Sequence, residues 1–307
     1  MAFRIHRPET VDEASRLELD LDGDCAFIAG GTDLVVQMSR GQRAPAHLID
    51  ISRLPGMSAI SEDGSVVEIG ALVTHRELEL GKGLPQGTDA IRDAARQVGG
   101  VQVRSIATLG GNIANASPAA DLVPVLMVLD AELELRGPHG RCVPISDFIE
   151  GPRRTTRQPG ELITAIRFRA PGNGSATSFF KAGRRKAMEI AVVNVAASVT
   201  LGADGACRSV RIALGSVAPK TLRAIGAEKA LAGSPLSVAA IREAAQLAAD
   251  CCAPITDIRA SAEYRRLLVK SLVERALVRC SEQVEQSAMS GISASADNPA
   301  DLLERSH

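Results

Sequence analysis

Two short stretches of this chain combine glycine pairs with small hydroxyl and amide side chains: Ala29-Gly30-Gly31-Thr32-Asp33-Leu34 and Thr108-Leu109-Gly110-Gly111-Asn112. A glycine pair lets successive backbone N–H groups turn toward one concavity with no Cβ in the way, which is how backbones hold phosphate oxygens. One such pair alone reads as a surface turn. Two of them on one chain suggest a single diphosphate gripped from both sides. Asn115 and Ser117 add short polar groups after the second turn, and Pro118 and Asp121 suit the start of the apolar helix expected to follow it, up to Leu129.

The elements that must position these turns can be read around them. An amphipathic helix is expected from Thr10 to Leu19, then a buried strand, Ala26-Phe27-Ile28-Ala29, that delivers the first turn. Thr32 is placed to cap a helix over Asp33–Arg40, which would end the turn on a positively polarised helix start. Strands are expected at His47–Ile51, Met57–Ile60 and Val66–Ile69. A helix capped by Thr74 then follows, with Glu77 at the capping-box position and His75 in its first turn. The second turn itself reads as a loop after a helix over Ala90–Val98. Strands at Ala131–Leu135, Arg141–Val143 and Leu162–Arg169 complete this half, and P-G-N-G-S after it marks a boundary near residue 172. Beyond lie a strand from Ile190 to Leu201, a turn at Gly202–Gly205, a return strand at Val210–Leu214, and helices at Ala224–Ala232, Val238–Ala249 and Ala262–Arg279. The Ser-, Ala-, Asp- and Asn-rich residues 282–307 read as an unstructured tail.

Composition removes several functions. Lys and Arg number 35 against 36 Asp and Glu, a net charge of -1, so no basic face for nucleic acid is implied. Aromatic residues are only 2%, with no Trp, so base-stacking platforms are missing too. The six cysteines show no C-x-x-C spacing, so no metal, zinc or iron–sulfur site is assigned to this chain. No G-x-G-x-x-G fingerprint marks a nicotinamide-binding dehydrogenase. No stretch is apolar enough to span a bilayer and the N-terminus has no signal core, so a cytoplasmic protein is expected.

With these motifs in order, the chain resembles the FAD-binding middle subunit of the molybdenum hydroxylases, the xanthine dehydrogenase and carbon monoxide dehydrogenase group. The resemblance runs from Phe3 to about Cys280. It rests on A-G-G-T-D-L at 29–34, G-A-L-V-T-H at 70–75, T-L-G-G-N-I-A-N-A-S-P-A-A-D at 108–121, F-F-K-A-G-R-R at 179–185 and S-A-E-Y-R-R at 261–266. It implies an α+β chain: a two-lobed, vanillyl-alcohol-oxidase-like FAD domain over 1–172, with lobes of about 1–56 and 57–172, then a C-terminal domain of antiparallel sheet and helices over 173–281.

By motif position, the resemblance implies that Phe27, Ile28, Ala29, Gly30, Gly31, Thr32, Asp33 and Leu34 line one side of the FAD and Thr108, Leu109, Gly110, Gly111 and Asn112 the other. Asp121 is expected on the flavin side, Lys181 near the cofactor, Leu162 packed on it, and Ile190 against the isoalloxazine. No catalytic residue is assigned; the flavin carries the redox chemistry. The implied partners are a large subunit with a molybdenum cofactor and a small subunit with 2Fe-2S clusters, as a dimer of heterotrimers serving an external electron acceptor. A stand-alone flavin oxidase and a flavin-free scaffold subunit are the competing readings.

Overall fold

The computed structural model describes residues 3–185 and 188–296. The first unit is a small parallel sheet with strand order Arg4–His6, His47–Asp50, Cys25–Ile28. Parallel neighbours need crossover connections, supplied here by the helices Val11–Asp20 and Leu34–Ser39. Thr10 caps the first of them, accepting from the Glu13 N–H.

The second unit is a five-stranded antiparallel sheet, in the order Ile60–Asp63, Val66–Gly70, Leu162–Arg169, Glu132–Arg136, Arg141–Pro144. Its central strand is apolar almost throughout because helices cover it: Leu162, Ile163, Ala165, Ile166 and Phe168 are all buried. Against it packs the helix Leu109–Ala114, while the helix Leu122–Val128, buried at every residue, lies against Val193–Leu201 and Cys207–Gly215 of the next sheet. Pro124 is tolerated there because it sits in the first turn, where an N–H has no intrahelical partner anyway.

The third unit is a four-stranded antiparallel sheet, Ser175–Ala182, Val193–Leu201, Cys207–Gly215 and Leu222–Arg223, backed by helices Ile225–Leu231, Val238–Asp250 and Ala262–Ala296. Phe179, Ala196 and Ala213 from this sheet join the core of the preceding unit, so the two share one apolar contact.

Several expectations change. The second glycine turn is not a loop but the opening of the helix Leu109–Ala114, because the Thr108 hydroxyl caps it by accepting from the Gly111 N–H. Thr32 caps nothing; Asp33 is the N-cap residue, and its carboxylate is drawn to the Gln37 amide instead of to the helix N–H groups. The strand expected over Met57–Ile60 begins only at Ile60, since Met57 accepts from the Leu72 N–H in a cross-connection. The last helix runs through Ala296, so residues 282–296 are helical where a tail was expected. Residues 297–307 of that expected tail lie outside the described residues.

Candidate functional site

The first turn leaves the strand Cys25–Ile28 and enters the helix Leu34–Ser39. Gly31 has φ +67°, a left-handed conformation that glycine adopts without strain. Gly30 answers a different demand: a Cβ there would stand 1.8 Å from the Ile106 carbonyl oxygen, so only glycine lets the two turns touch. The N–H groups of Gly30, Gly31, Thr32 and Asp33 find no acceptor among the described residues. Four adjacent unspent donors on one wall are what an anion would satisfy.

The second turn is built differently. Leu109 N–H donates to the Val73 carbonyl at 2.9 Å and Gly110 N–H to the Ala71 carbonyl at 2.8 Å, while Gly111 N–H goes to Thr108 Oγ1 at 3.2 Å. These donors are committed, so this turn supplies shape where donors were expected. At Gly110 a Cβ would strike Ala71 at 2.7 Å; at Gly111 it would meet only Thr108 Oγ1, at 2.9 Å, and otherwise fill open space. That space is the crevice between the turns.

The crevice consists of two adjoining cavities. The outer one, about 250 Å³, is lined by residues 27–34 together with Val98, Val103, Thr108, Gly111, Asn112 and His75. The inner one, about 230 Å³, has an apolar wall of Phe27, Met57, Leu72, Leu162 and Ile163. Phe27, Ala29, Arg43, Thr108, Gly111 and Ala114 border both. A larger polar cleft of about 1080 Å³ opens between residues 81–92, 171–176 and the far end of the last helix, and it touches neither turn.

Polar groups in the crevice walls are partly unspent. Asn112 Oδ1 and His75 Nδ1 are buried without a hydrogen-bond partner. His75 is 1% exposed, and burial, reinforced by the nearby Arg104 charge, lowers its pKa from 6.5 to about 4, so it stands as a neutral imidazole. Arg157 grips both oxygens of Glu18 at 2.7 and 2.8 Å and lies over the Phe27 ring.

Of the residues expected in the site, the structure gathers most but not all. Phe27 through Leu34, Thr108, Gly110, Gly111, Asn112 and Leu162 line the crevice. Leu109 is fully buried beneath it. Asp121, Lys181 and Ile190 line neither cavity. The Asp121 carboxylate faces inward: Lys181 Nζ lies 2.5 Å from Oδ2, Asn194 Nδ2 donates to Oδ1 at 2.9 Å, and the paired side chains are 7% and 6% exposed. Burial pushes the Asp121 carboxyl up from its ordinary value, while the Lys181 ammonium and the Asn194 amide pull it back. Lys181 also donates to the Gln97 carbonyl at 3.0 Å. Ile190 is 62% exposed, because the strand it was expected to open begins only at Val193. Among the residues missed from sequence are Arg43 and Met57, which lie in none of the motifs and arrive only through tertiary folding.

A bound FAD fits this arrangement: free backbone donors on one wall, an apolar inner chamber, and a glycine where any side chain would occupy the space. Among the described residues no group of three His, Cys, Asp or Glu is placed to hold a metal ion, and no helix is long and apolar enough to cross a membrane.

Comparison with known proteins agrees. Residues 1–170 match the FAD binding domain in molybdopterin dehydrogenase, and residues 178–280 match the CO dehydrogenase flavoprotein C-terminal domain. The carbon monoxide dehydrogenase medium chain of Afipia carboxidovorans is 34% identical over 279 residues, covering 91% of this chain and 96% of that one. The xanthine dehydrogenase FAD-binding subunit of Escherichia coli is 31% identical over 276 residues, covering 89% and 94%. A solved carbon monoxide dehydrogenase from Hydrogenophaga pseudoflava, lacking the Mo-pyranopterin moiety of its molybdenum cofactor, superposes with a TM-score of 0.89 at 33% identity, covering 92% of this chain and 98% of that one. Quinoline 2-oxidoreductase from Pseudomonas putida gives a TM-score of 0.86 at 27% identity, covering 92% and 98%. These matches fit a subunit better than a stand-alone oxidase, and this chain belongs to the family of FAD-binding subunits of the molybdenum-containing dehydrogenases.

Proposed function

We propose that this chain binds one FAD in the crevice between its two glycine turns and passes electrons from the 2Fe-2S clusters of a small partner subunit to an external acceptor. A large partner subunit with a molybdenum cofactor supplies those electrons by oxidising substrate. The assembly is a cytoplasmic dimer of heterotrimers; the six unpaired cysteines of this chain support a reducing compartment. The family membership supports the relay, and the crevice supports the binding.

FAD, when bound, supplies the redox chemistry. The chain's own residues bind and shield it. The unspent N–H groups from Gly30 to Asp33 hold negative oxygens, and Phe27, Met57, Leu162 and Ile163 exclude water from the inner chamber. For Asp121, Lys181 and Ile190 the support is the family pattern, not a shared cavity. The observation that carries the reading is Gly111, whose missing side chain leaves the crevice open to both cavities.

The test is flavin content, by visible absorption and by chromatography after acid release, of the chain co-expressed with its partner subunits. Wild type should carry one FAD per chain. Gly111→Val should lose it while the variant keeps its melting temperature within a few degrees. Full flavin in Gly111→Val, or none in wild type with its partners, would overturn the site.

A further inference from the structure

We propose that Arg43 is the cation that holds the diphosphate of the bound dinucleotide, an assignment that rests on the functional reading above. A dinucleotide has two bulky ends joined by a diphosphate. When each end occupies one of two adjoining cavities, the diphosphate lies at their junction. Six residues border both cavities, and among them Arg43 alone carries a charge.

The other charged groups of the crevice are already engaged. Arg157 is spent on Glu18, and Glu161 is held by Arg141 at 2.7 and 2.9 Å. Asp33 is drawn to the Gln37 amide. Arg43 makes no hydrogen bond and no ion pair among the described residues. It sits in the connection between the helix Leu34–Ser39 and the strand His47–Asp50, so it rises from the same crossover that carries the free N–H groups.

Neutral N–H donors orient a phosphate but do not offset its charge. A guanidinium does both, because its planar fork matches two phosphate oxygens at once. The crevice therefore has two complementary parts: backbone donors that fix the position and one cation at the junction that offsets the charge. Since Arg43 is exposed, its contribution is screened by salt.

The experiment titrates FAD, and separately ADP as a diphosphate without a flavin, into apo-protein at low and high salt, with the partner subunits present. Arg43→Ala should weaken both ligands about 10- to 100-fold, the usual range for losing a charge-assisted hydrogen bond, and flatten the salt dependence. Arg43→Lys should recover part of the loss. Arg40→Ala is the control, since it removes the same charge three residues earlier and lines neither cavity. Equal weakening by Arg40→Ala and Arg43→Ala would show a general charge effect and overturn the assignment. So would an Arg43→Ala that binds FAD and ADP like wild type. Wild type that binds no FAD at all would instead remove the functional reading beneath it.

Discussion

The buried histidine offers a stability prediction that needs no cofactor. His75 opens the helix His75–Leu80, with its N–H on the Ala107 carbonyl at 3.0 Å and its Nδ1 unpartnered. The charged groups nearby are Arg104, which repels a proton on the ring, and Glu79, whose carboxylate is already shared by Arg104 at 2.9 Å and Arg76 at 2.8 Å. Burial first and Arg104 second bring the imidazole from 6.5 to about 4. The unfolded chain therefore takes up a proton near pH 6.5 and the native one only near pH 4. Stability from this group is whole above pH 6.5 and is lost as pH falls through the window between the two values. Each decade is worth about 1.4 kcal/mol, so the native state should lose roughly 2 kcal/mol by pH 5 and about 3 kcal/mol by pH 4 from His75 alone. Urea unfolding at pH 7.5, 6 and 5 measures it, comparing wild type with His75→Gln. His6 and His47, hydrogen-bonded to each other, are the same in both proteins and cancel in the comparison. Identical pH slopes for the two proteins, or an imidazole resonance of His75 with a midpoint near 6.5, would refute the argument.

Two substitutions probe packing. Gly30→Ala places a Cβ 1.8 Å from a backbone oxygen that cannot swing away, so it should cost about 3 kcal/mol or more; Gly226→Ala, with nothing within 4 Å and in a helix, should be neutral or stabilising by about 0.5–1 kcal/mol. Equal melting temperatures for the two variants would count against a close approach of the turns. Asp121→Asn or Lys181→Met alone leaves one buried charge without its partner and should cost about 3–5 kcal/mol, whereas the double variant should recover much of that. A double-mutant cycle by equilibrium unfolding checks this, and additive losses would mean the pair is not coupled.

Much of the fold was legible because local chemistry and tertiary role coincide. Thr74 and Glu77 form the capping box their spacing implies, and Thr10 caps the helix that follows it. Ends of elements went wrong where long-range bonds decide. Met57 spends its carbonyl on Leu72, and Ile190 stays out of a strand whose pairing starts at Val193. The glycine turns were found by composition, but their division of labour was not. Whether a glycine N–H is free depends on whether a neighbour such as the Ala71 carbonyl or the Thr108 hydroxyl has already accepted from it, and nothing in T-L-G-G-N reveals that. Arg43 was invisible for the same reason: its charge acquires meaning only when two cavities close around it.

The stretch from Thr108 to Asp121 combines two jobs that sequence merges into one motif. Its first part, through Asn112, shapes the crevice. Its second part is a seam: Pro118 accepts from the Ser216 N–H at 2.8 Å, Ala120 from Asn194 at 3.4 Å, and Asp121 holds Lys181 and Asn194. Asn194 in turn needs Gly215 beside it, where a Cβ would lie 2.0 Å from its Oδ1. Arg265, 1% exposed, fastens the far side by donating to the Val192 and Ser216 carbonyls at 2.6 and 2.9 Å. The C-terminal sheet is thus anchored to the chain segment that leads directly out of the second turn. Between Gly111 and that seam lie only the rest of the helix Leu109–Ala114 and a short turn. The C-terminal domain thus lines neither cavity of the crevice and meets the first domain instead at the segment that follows it, through Pro118, Ala120 and Asp121.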